Sequence, residues 1–164
     1  MEFIEKLNNI YKNNSNIEIY LDMDGTLVEL IFDKHESYTK KGVYVNKRPI
    51  TPVLNKIEEI KNRFPQIKFK ILSCSKSNQM RNEKNEWLDI HMRYIKLEDR
   101  IILSEEAGDY IRENRNIVKA EYLDKNTTDD RIIFLIDDDI EVLKALQKLS
   151  KDNLIPVHVT SILI

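Results

Sequence analysis

The sequence predicts an α/β fold in which helices cover both faces of a mainly parallel sheet. Short apolar runs alternate with amphipathic helical segments along the 164 residues, and no internal repeat, low-complexity tract or linker breaks this order. Strands joined by helical crossovers pair in parallel, and both faces of such a sheet are buried. The length suits a single domain over residues 1–164 with a core of its own.

The elements can be placed from their periodicity and their breakers. Apolar residues recur at helical spacing over 2–13, and the strand IEIYL follows. Thr51-Pro52 begins a helix that Pro65 ends, and IKFKILS is the second strand. The remaining predicted elements are a helix over 77–90, the strand RIIL, one or two helices through 106–123, the strand IIFLI, a helix over 140–149 and the strand IPVHV.

Residues 28–49 show little periodicity and are predicted to form a flap or loop, with VYVN as a short β arm. The segment is basic, which fits a solvated charged loop or a surface for further phosphates of a nucleotide or oligonucleotide end. Two of its tyrosines are candidates for stacking on a base. The basic residues are Lys34, Lys40, Lys41, Lys47 and Arg48, and the tyrosines are Tyr38 and Tyr44.

Composition excludes several classes of protein. A net charge of -2, with 33% charged residues, gives no long-range attraction to nucleic acid or an acidic membrane. The single cysteine, Cys74, excludes an internal disulfide and a cysteine-rich zinc site. Apolar runs stay well below the roughly 20 residues of a membrane span. These features predict a cytoplasmic protein without a membrane partner.

Aspartates follow two of the predicted strands. YLDMDGTL places Asp22 and Asp24 after the first strand, and FLIDDD places Asp137, Asp138 and Asp139 after the fourth. Parallel strands bring their carboxyl ends to one edge, where clustered carboxylates need a compensating cation. Oxygen ligands with no His or Cys favour Mg²⁺, which suits phosphoryl transfer. The alternative is that Asp-Gly is an ordinary turn.

Asp22-Met23-Asp24-Gly25-Thr26 after an apolar strand resembles the first motif of the haloacid dehalogenase (HAD) superfamily, D-x-D-G-T. The resemblance implies a Rossmann-like three-layer domain with strand order 5-4-1-2-3. It also implies that Asp22 is the nucleophile, that Asp24 is the general acid and then base, and that both bind Mg²⁺. The remaining implied roles are phosphate binding by Ser73, Lys119 and Thr26, with Lys125 as the alternative lysine, and metal binding by Asp138 and Asp137.

The resemblance narrows the activity to a phosphatase acting on a phosphomonoester. EWL after the second motif, together with LIDD, is similar to the 5'(3')-deoxyribonucleotidase-like group, which favours a nucleotide or sugar phosphate. Too few residues follow the first motif for a helical cap, so the domain is predicted to be capless or minimally capped. Such members act on large phosphorylated substrates or form homo-oligomers.

Two other classes of protein remain as alternatives. A non-catalytic metal- and phosphate-binding module, working as a regulatory subunit, could keep the same pocket. A two-component receiver domain also clusters aspartates at strand ends, although it lacks D-x-D-G-T.

Overall fold

A five-stranded parallel sheet organises the protein. The structure, a computed structural model, describes residues 1–30 and 39–164. The strands are β1 (Ile17–Leu21), β2 (Lys68–Ser75), β3 (Arg100–Ser104), β4 (Ile132–Asp137) and β5 (Leu154–His158). They lie in the order β3-β2-β1-β4-β5, and all four pairings are parallel. This architecture confirms the predicted α/β fold and the implied strand order.

Helices cover both faces of the sheet, which gives three layers. They are α1 (Phe3–Asn13), α2 (Thr51–Arg63), α3 (Asn78–His91), α4 (Val118–Asn126) and α5 (Ile140–Gln147). Short 3-10 turns span Leu97–Asp99, Arg112–Asn114 and Val159–Leu163. Helices α1, α2 and α3 pack with Ile17, Ile19 and Leu21 on one face. Helices α4 and α5 pack on the other face, against Tyr20 and Leu135.

The central strand β1 is buried at all five positions because both of its faces are covered. Its neighbour β4 is buried at five of six. A strand of this kind has no solvent-facing side, so its sequence reads as a continuous apolar run. The polar residues that follow each strand therefore lie at the edge of the sheet, next to one another.

Three predicted elements differ from the structure. Strand β2 continues to Ser75, so Ser73 does not end it. VYVN forms turns instead of a β arm, because backbone N–H groups of Gly42 and Val45 donate to Glu83 and not to a strand. Within 106–123 the α-helix begins only at Val118, since the chain first turns at Gly108, where φ is 82°.

None of the helices within 1–30 and 39–164 has the length and apolarity that a membrane span requires.

Candidate active site

The carboxyl ends of β1 and β4 bring three aspartates together. The Asp22 N–H donates to the Ile136 carbonyl at 3.0 Å, which fixes Asp22 beside the last residue of β4. Asp22, Asp137 and Asp138 each present a carboxylate oxygen, and these oxygens lie within 4.8 Å of one another. The predicted convergence of aspartates at this edge is therefore present in the structure.

Lys119 joins two of these carboxylates. Its Nζ donates to Asp22 Oδ1 at 2.7 Å and to Asp137 Oδ2 at 2.6 Å, and all three side chains are buried. Lys119 reaches the cluster because it lies in the first turn of α4 and points toward the sheet edge. Lys125, in the last turn of the same helix, is exposed. The structure thus brings Lys119, and not Lys125, to the aspartates.

The aspartate cluster carries unfavourable electrostatics. Burial, and then the nearby charge of Asp137, raise the pKa of Asp22 to about 6, although Lys119 opposes the rise. Burial and then Asp22 also raise the pKa of Asp138. Burial alone would lower the pKa of Lys119, but Asp22 and Asp137 raise it above its ordinary value. One ammonium group therefore compensates only part of the negative charge.

Gly25 and Thr26 allow the chain to turn tightly beneath Asp138. Gly25 has φ 76°, and a Cβ at this position would lie 2.2 Å from Asp138 Oδ2, so any side chain would collide with the cluster. Thr26 is fully buried, and its Oγ1 lies 3.5 Å from Asp22 Oδ2 and 3.5 Å from Asp138 Oδ1. Thr26, predicted to bind phosphate, thus contacts the carboxylates themselves.

Asp24 is held by a different set of partners. Its Oδ2 accepts from Lys84 Nζ at 2.8 Å, and its Oδ1 accepts from the Tyr44 hydroxyl at 2.8 Å. Burial alone would raise the pKa of Asp24, but Lys84 and Tyr44 lower it below its ordinary value. Asp24 is therefore a carboxylate in this structure, oriented by Lys84, which the sequence analysis did not single out, and by Tyr44, which was predicted to stack on a base instead.

Lys84, like Tyr44, is fully buried. Its side chain is 0% exposed, and its Nζ also donates to Ser73 Oγ at 2.8 Å and to the Cys74 carbonyl at 2.7 Å. An ammonium group has three donors, so every N–H is satisfied. The sequence carries a signal for this role, because Lys84 interrupts the apolar face of α3 that Met80, Trp87 and Leu88 define.

An open cavity of about 470 Å³ lies over the aspartate cluster. Cys74 and Arg115 line it together with Asp22, Asp24, Lys119 and the aspartates of β4, whereas Ser73 is not among the described lining residues. Cys74 is half-buried, and burial raises the pKa of its thiol, which keeps it protonated. Asp139 caps α5 by accepting from the Glu141 N–H at 2.9 Å.

Within the basic segment 28–49, two of the residues predicted to contact a base or phosphates are buried. Tyr44 is fully buried and cannot stack on a base. Lys47 is also buried, with its Nζ 5.1 Å from the centre of the Tyr44 ring, and it is not among the described residues that line the cavity. Lys40, Lys41 and Arg48 are exposed. Lys34 and Tyr38 lie outside the described residues.

The cluster fits a hard divalent cation by the chemistry of its donors. Asp22, Asp137 and Asp138 present only carboxylate oxygens, and the cavity above them leaves room for water or a phosphate oxygen. Mg²⁺ prefers one or two carboxylates completed by water and phosphate, whereas zinc sites use nitrogen and sulfur. Burial and the charge of Asp137 raise the pKa of Asp22, and a bound cation would oppose that rise.

Comparison with solved structures supports the fold. The chain matches a chain in the structure of the Pnkp1/Rnl/Hen1 RNA repair complex with a TM-score of 0.59 and 20% identity, over 87% of this chain and 42% of that one. It also matches the HAD domain of the effector protein Lem4 from Legionella pneumophila with a TM-score of 0.50 and 17% identity, over 88% and 86%. The chain therefore spans well under half the length of the first of these chains.

These likenesses define a HAD-like fold. A scan against protein-family models and a search of curated proteins found no match.

Proposed function

We propose that this protein is a Mg²⁺-dependent phosphomonoester hydrolase that works through a phosphoryl group carried on Asp22. The observation that supports it is the convergence of D-x-D-G-T with two further aspartates and Lys119 at one open edge of the sheet. Asp22, Asp137 and Asp138 would hold the ion, together with the Asp24 carbonyl. When bound, Mg²⁺ would neutralise charge on the phosphoryl oxygens.

Each step can be assigned to residues of this chain. An Asp22 carboxylate oxygen attacks phosphorus and the bond from phosphorus to the ester oxygen breaks, while Asp24 takes the proton of the substrate monoanion and passes it to that ester oxygen. Asp24 then takes a proton from water, the water oxygen attacks the aspartyl phosphate, and the bond to Asp22 breaks to release phosphate. Ionised Asp24 is ready for the second step, while a phosphomonoester monoanion carries the proton needed for the first.

Lys119 and Ser73 have different places in this mechanism. Lys119 would release part of its contact with Asp22 and bind a phosphoryl oxygen at the same cavity wall. Ser73 would act from further away, because its hydroxyl accepts from Lys84, which in turn holds Asp24. Thr26 would keep the carboxylates of Asp22 and Asp138 in place.

A nucleotide is the first substrate class that we propose. The cavity is open, and Tyr44 bonds to Asp24 on its wall from a segment that also carries the exposed Lys40, Lys41 and Arg48, which suits a substrate with more than one phosphate. The RNA repair complex among the structural neighbours favours a phosphorylated oligonucleotide end as the second class.

Phosphate release from a panel of substrates tests this function. The panel contains nucleotides, sugar phosphates, p-nitrophenyl phosphate and oligonucleotides phosphorylated at either end, each with Mg²⁺ or EDTA. We expect turnover that EDTA abolishes, with nucleotides or oligonucleotide ends ahead of sugar phosphates. A folded protein that binds Mg²⁺ yet releases no phosphate from any of them would favour the non-catalytic module.

Mg²⁺ binding can be tested separately from turnover. At about 100 times its Kd, Mg²⁺ stabilises the folded state by about 2.7 kcal/mol. For a chain of this size that raises Tm by about 5–10 °C. We expect Asp138→Asn to lose most of this shift, and to be no less stable than the wild type without metal, because it removes charge from the cluster.

Thermal unfolding with and without Mg²⁺ measures both effects. Asp152→Asn, an exposed aspartate before β5, is the matched control and should keep the full shift. Equal Mg²⁺ shifts in the wild type and in Asp138→Asn would place the ion elsewhere.

A further inference from the structure

Helix α3 carries two side chains that fasten residues 42–47, the docked segment, over Asp24. Glu83 Oε1 accepts from the Gly42 N–H at 2.8 Å and from the Val45 N–H at 3.3 Å. One turn further along, Trp87 Nε1 donates to the Lys47 carbonyl at 2.9 Å. Both side chains are buried, so these hydrogen bonds do not compete with water.

Tyr44 lies in the middle of the docked segment. Its side chain is 0% exposed, and its hydroxyl donates to Asp24 Oδ1 at 2.8 Å. The Lys84 ammonium lies 5.4 Å from the centre of the Tyr44 ring, and Tyr44 and Lys84 each donate to a different oxygen of Asp24. A third residue of the helix, Lys84, thus acts on the Asp24 carboxylate directly, whereas Glu83 and Trp87 act on it through the segment.

The location of Tyr44 separates it from the phosphate-binding wall. It is not among the described residues that line the cavity, whereas Asp24 is. A hydroxyl in this place can orient the Asp24 carboxylate without touching a bound phosphate. The hydrogen bond from the Tyr44 hydroxyl to Asp24 Oδ1 restricts the orientation of the carboxylate. A proton transfer between Asp24 and water needs such a fixed orientation.

We propose that Tyr44 is a positioning residue for Asp24 and that Glu83 delivers it by docking residues 42–47 on α3. The proposal rests on the phosphatase function proposed above. Tyr44 would act in the hydrolysis of the aspartyl phosphate, in which Asp24 is the base toward water. Tyr44 would contribute little to substrate binding.

Tyr44→Phe removes the hydroxyl and keeps the buried ring. With p-nitrophenyl phosphate the leaving group needs little help from an acid, so the attack by Asp22 should persist while hydrolysis slows. We expect a burst of about one equivalent of p-nitrophenolate per protein, followed by a steady rate about tenfold below the wild type. KM should not rise. The control Tyr20→Phe, which removes a buried hydroxyl bonded to Glu18, should leave the steady rate unchanged.

Glu83→Ala tests the docking, and the single tryptophan reports it without any turnover. Trp87 is fully buried beneath the segment, so release of residues 42–47 should increase the quenching of its fluorescence by acrylamide. We expect Glu83→Ala to show this increase together with the same burst and slow hydrolysis. The matched control is Glu86→Ala, at an exposed glutamate on the same helix. This control should change neither the quenching of the tryptophan fluorescence nor the rate of hydrolysis.

The outcomes separate the two proposals. Normal hydrolysis without a burst in Tyr44→Phe, or in a Glu83→Ala protein whose tryptophan is exposed, would overturn the positioning role. A wild-type protein that never releases phosphate, although Glu83→Ala still exposes Trp87, would overturn the phosphatase function and the role of Tyr44 with it. The docked segment would stand in that case as a structural feature.

Discussion

Asp22→Asn is expected to reduce Mg²⁺-dependent phosphate release by at least about 1,000-fold, because the amide cannot act as the nucleophile. The exchange preserves the shape of the side chain, and its Oδ1 can still accept from Lys119. It also removes one charge from a cluster in which burial and Asp137 already raise the pKa of Asp22 to about 6. The variant should therefore fold as well as the wild type.

Steady-state phosphate release and thermal unfolding, measured on the same preparations, test this prediction. Asp152→Asn serves as the control for loss of an exposed carboxylate and should retain full activity. A folded Asp22→Asn protein with more than about a tenth of wild-type activity would exclude covalent catalysis at this position.

Lys84→Met is the second change with a large expected effect, and here stability and activity should fall together. Methionine fills the space of the lysine chain but leaves Asp24 without its cation and the Cys74 carbonyl without its donor. Removing one partner of a buried ion pair costs about 3–5 kcal/mol, and we expect about 3 because the Asp24 side chain is 28% exposed. Asp24 also loses the partner that orients it, so turnover should fall by about 100-fold or more.

Chemical denaturation and steady-state kinetics measure the two effects. Lys144→Met is the matched control, since the ion pair of Lys144 with Glu141 is exposed at both ends, with side chains 57% and 61% accessible. It should change stability by less than about 0.5 kcal/mol and leave turnover intact. If Lys84→Met turned over as fast as the wild type at a temperature where both are folded, Lys84 would have a structural role alone.

Local sequence was sufficient to predict the architecture. Buried parallel strands leave continuous apolar runs, so IEIYL and IIFLI identify β1 and β4 without ambiguity, and polar residues after them mark the edge of the sheet. Parallel pairing predicted that Asp22, Asp137 and Asp138 share one edge of the sheet, and the strand order implied by the family resemblance made β1 and β4 neighbours, as they are in the structure.

The partners of Asp24 could not be predicted in the same way. Lysine and glutamate on a helix are ordinarily solvated, so Glu83 resembles a surface residue, and the position of Lys84 on the apolar face of α3 indicates burial without identifying Asp24 as its partner. Tyr44 has the same difficulty, since its hydroxyl bond to Asp24 joins residues 20 positions apart in the sequence, at a spacing that no helical or strand periodicity predicts. Long-range contacts of this kind depend on tertiary packing rather than on periodicity.

The departures within elements also have tertiary causes. VYVN has the composition of a strand, but the Glu83 carboxylate accepts the N–H groups that a strand would pair. In the predicted helical stretch after β3, the Asp109 side chain accepts from the Ser104 N–H at 2.8 Å and ties the chain into a turn. Such side-chain bonds compete with regular structure and leave no periodic signal.

Reductive trapping of the phosphorylated protein tests the central claim most directly. Wild-type protein is mixed with Mg²⁺ and the best substrate of the panel, quenched within a turnover and treated with borohydride, which reduces an aspartyl phosphate to homoserine. Mass spectrometry of the peptide that contains Asp22 should show this conversion, and only when Mg²⁺ and substrate are both present. Continued phosphate release with Asp22 unmodified at every quench time, or with the conversion at a different aspartate, would contradict the account.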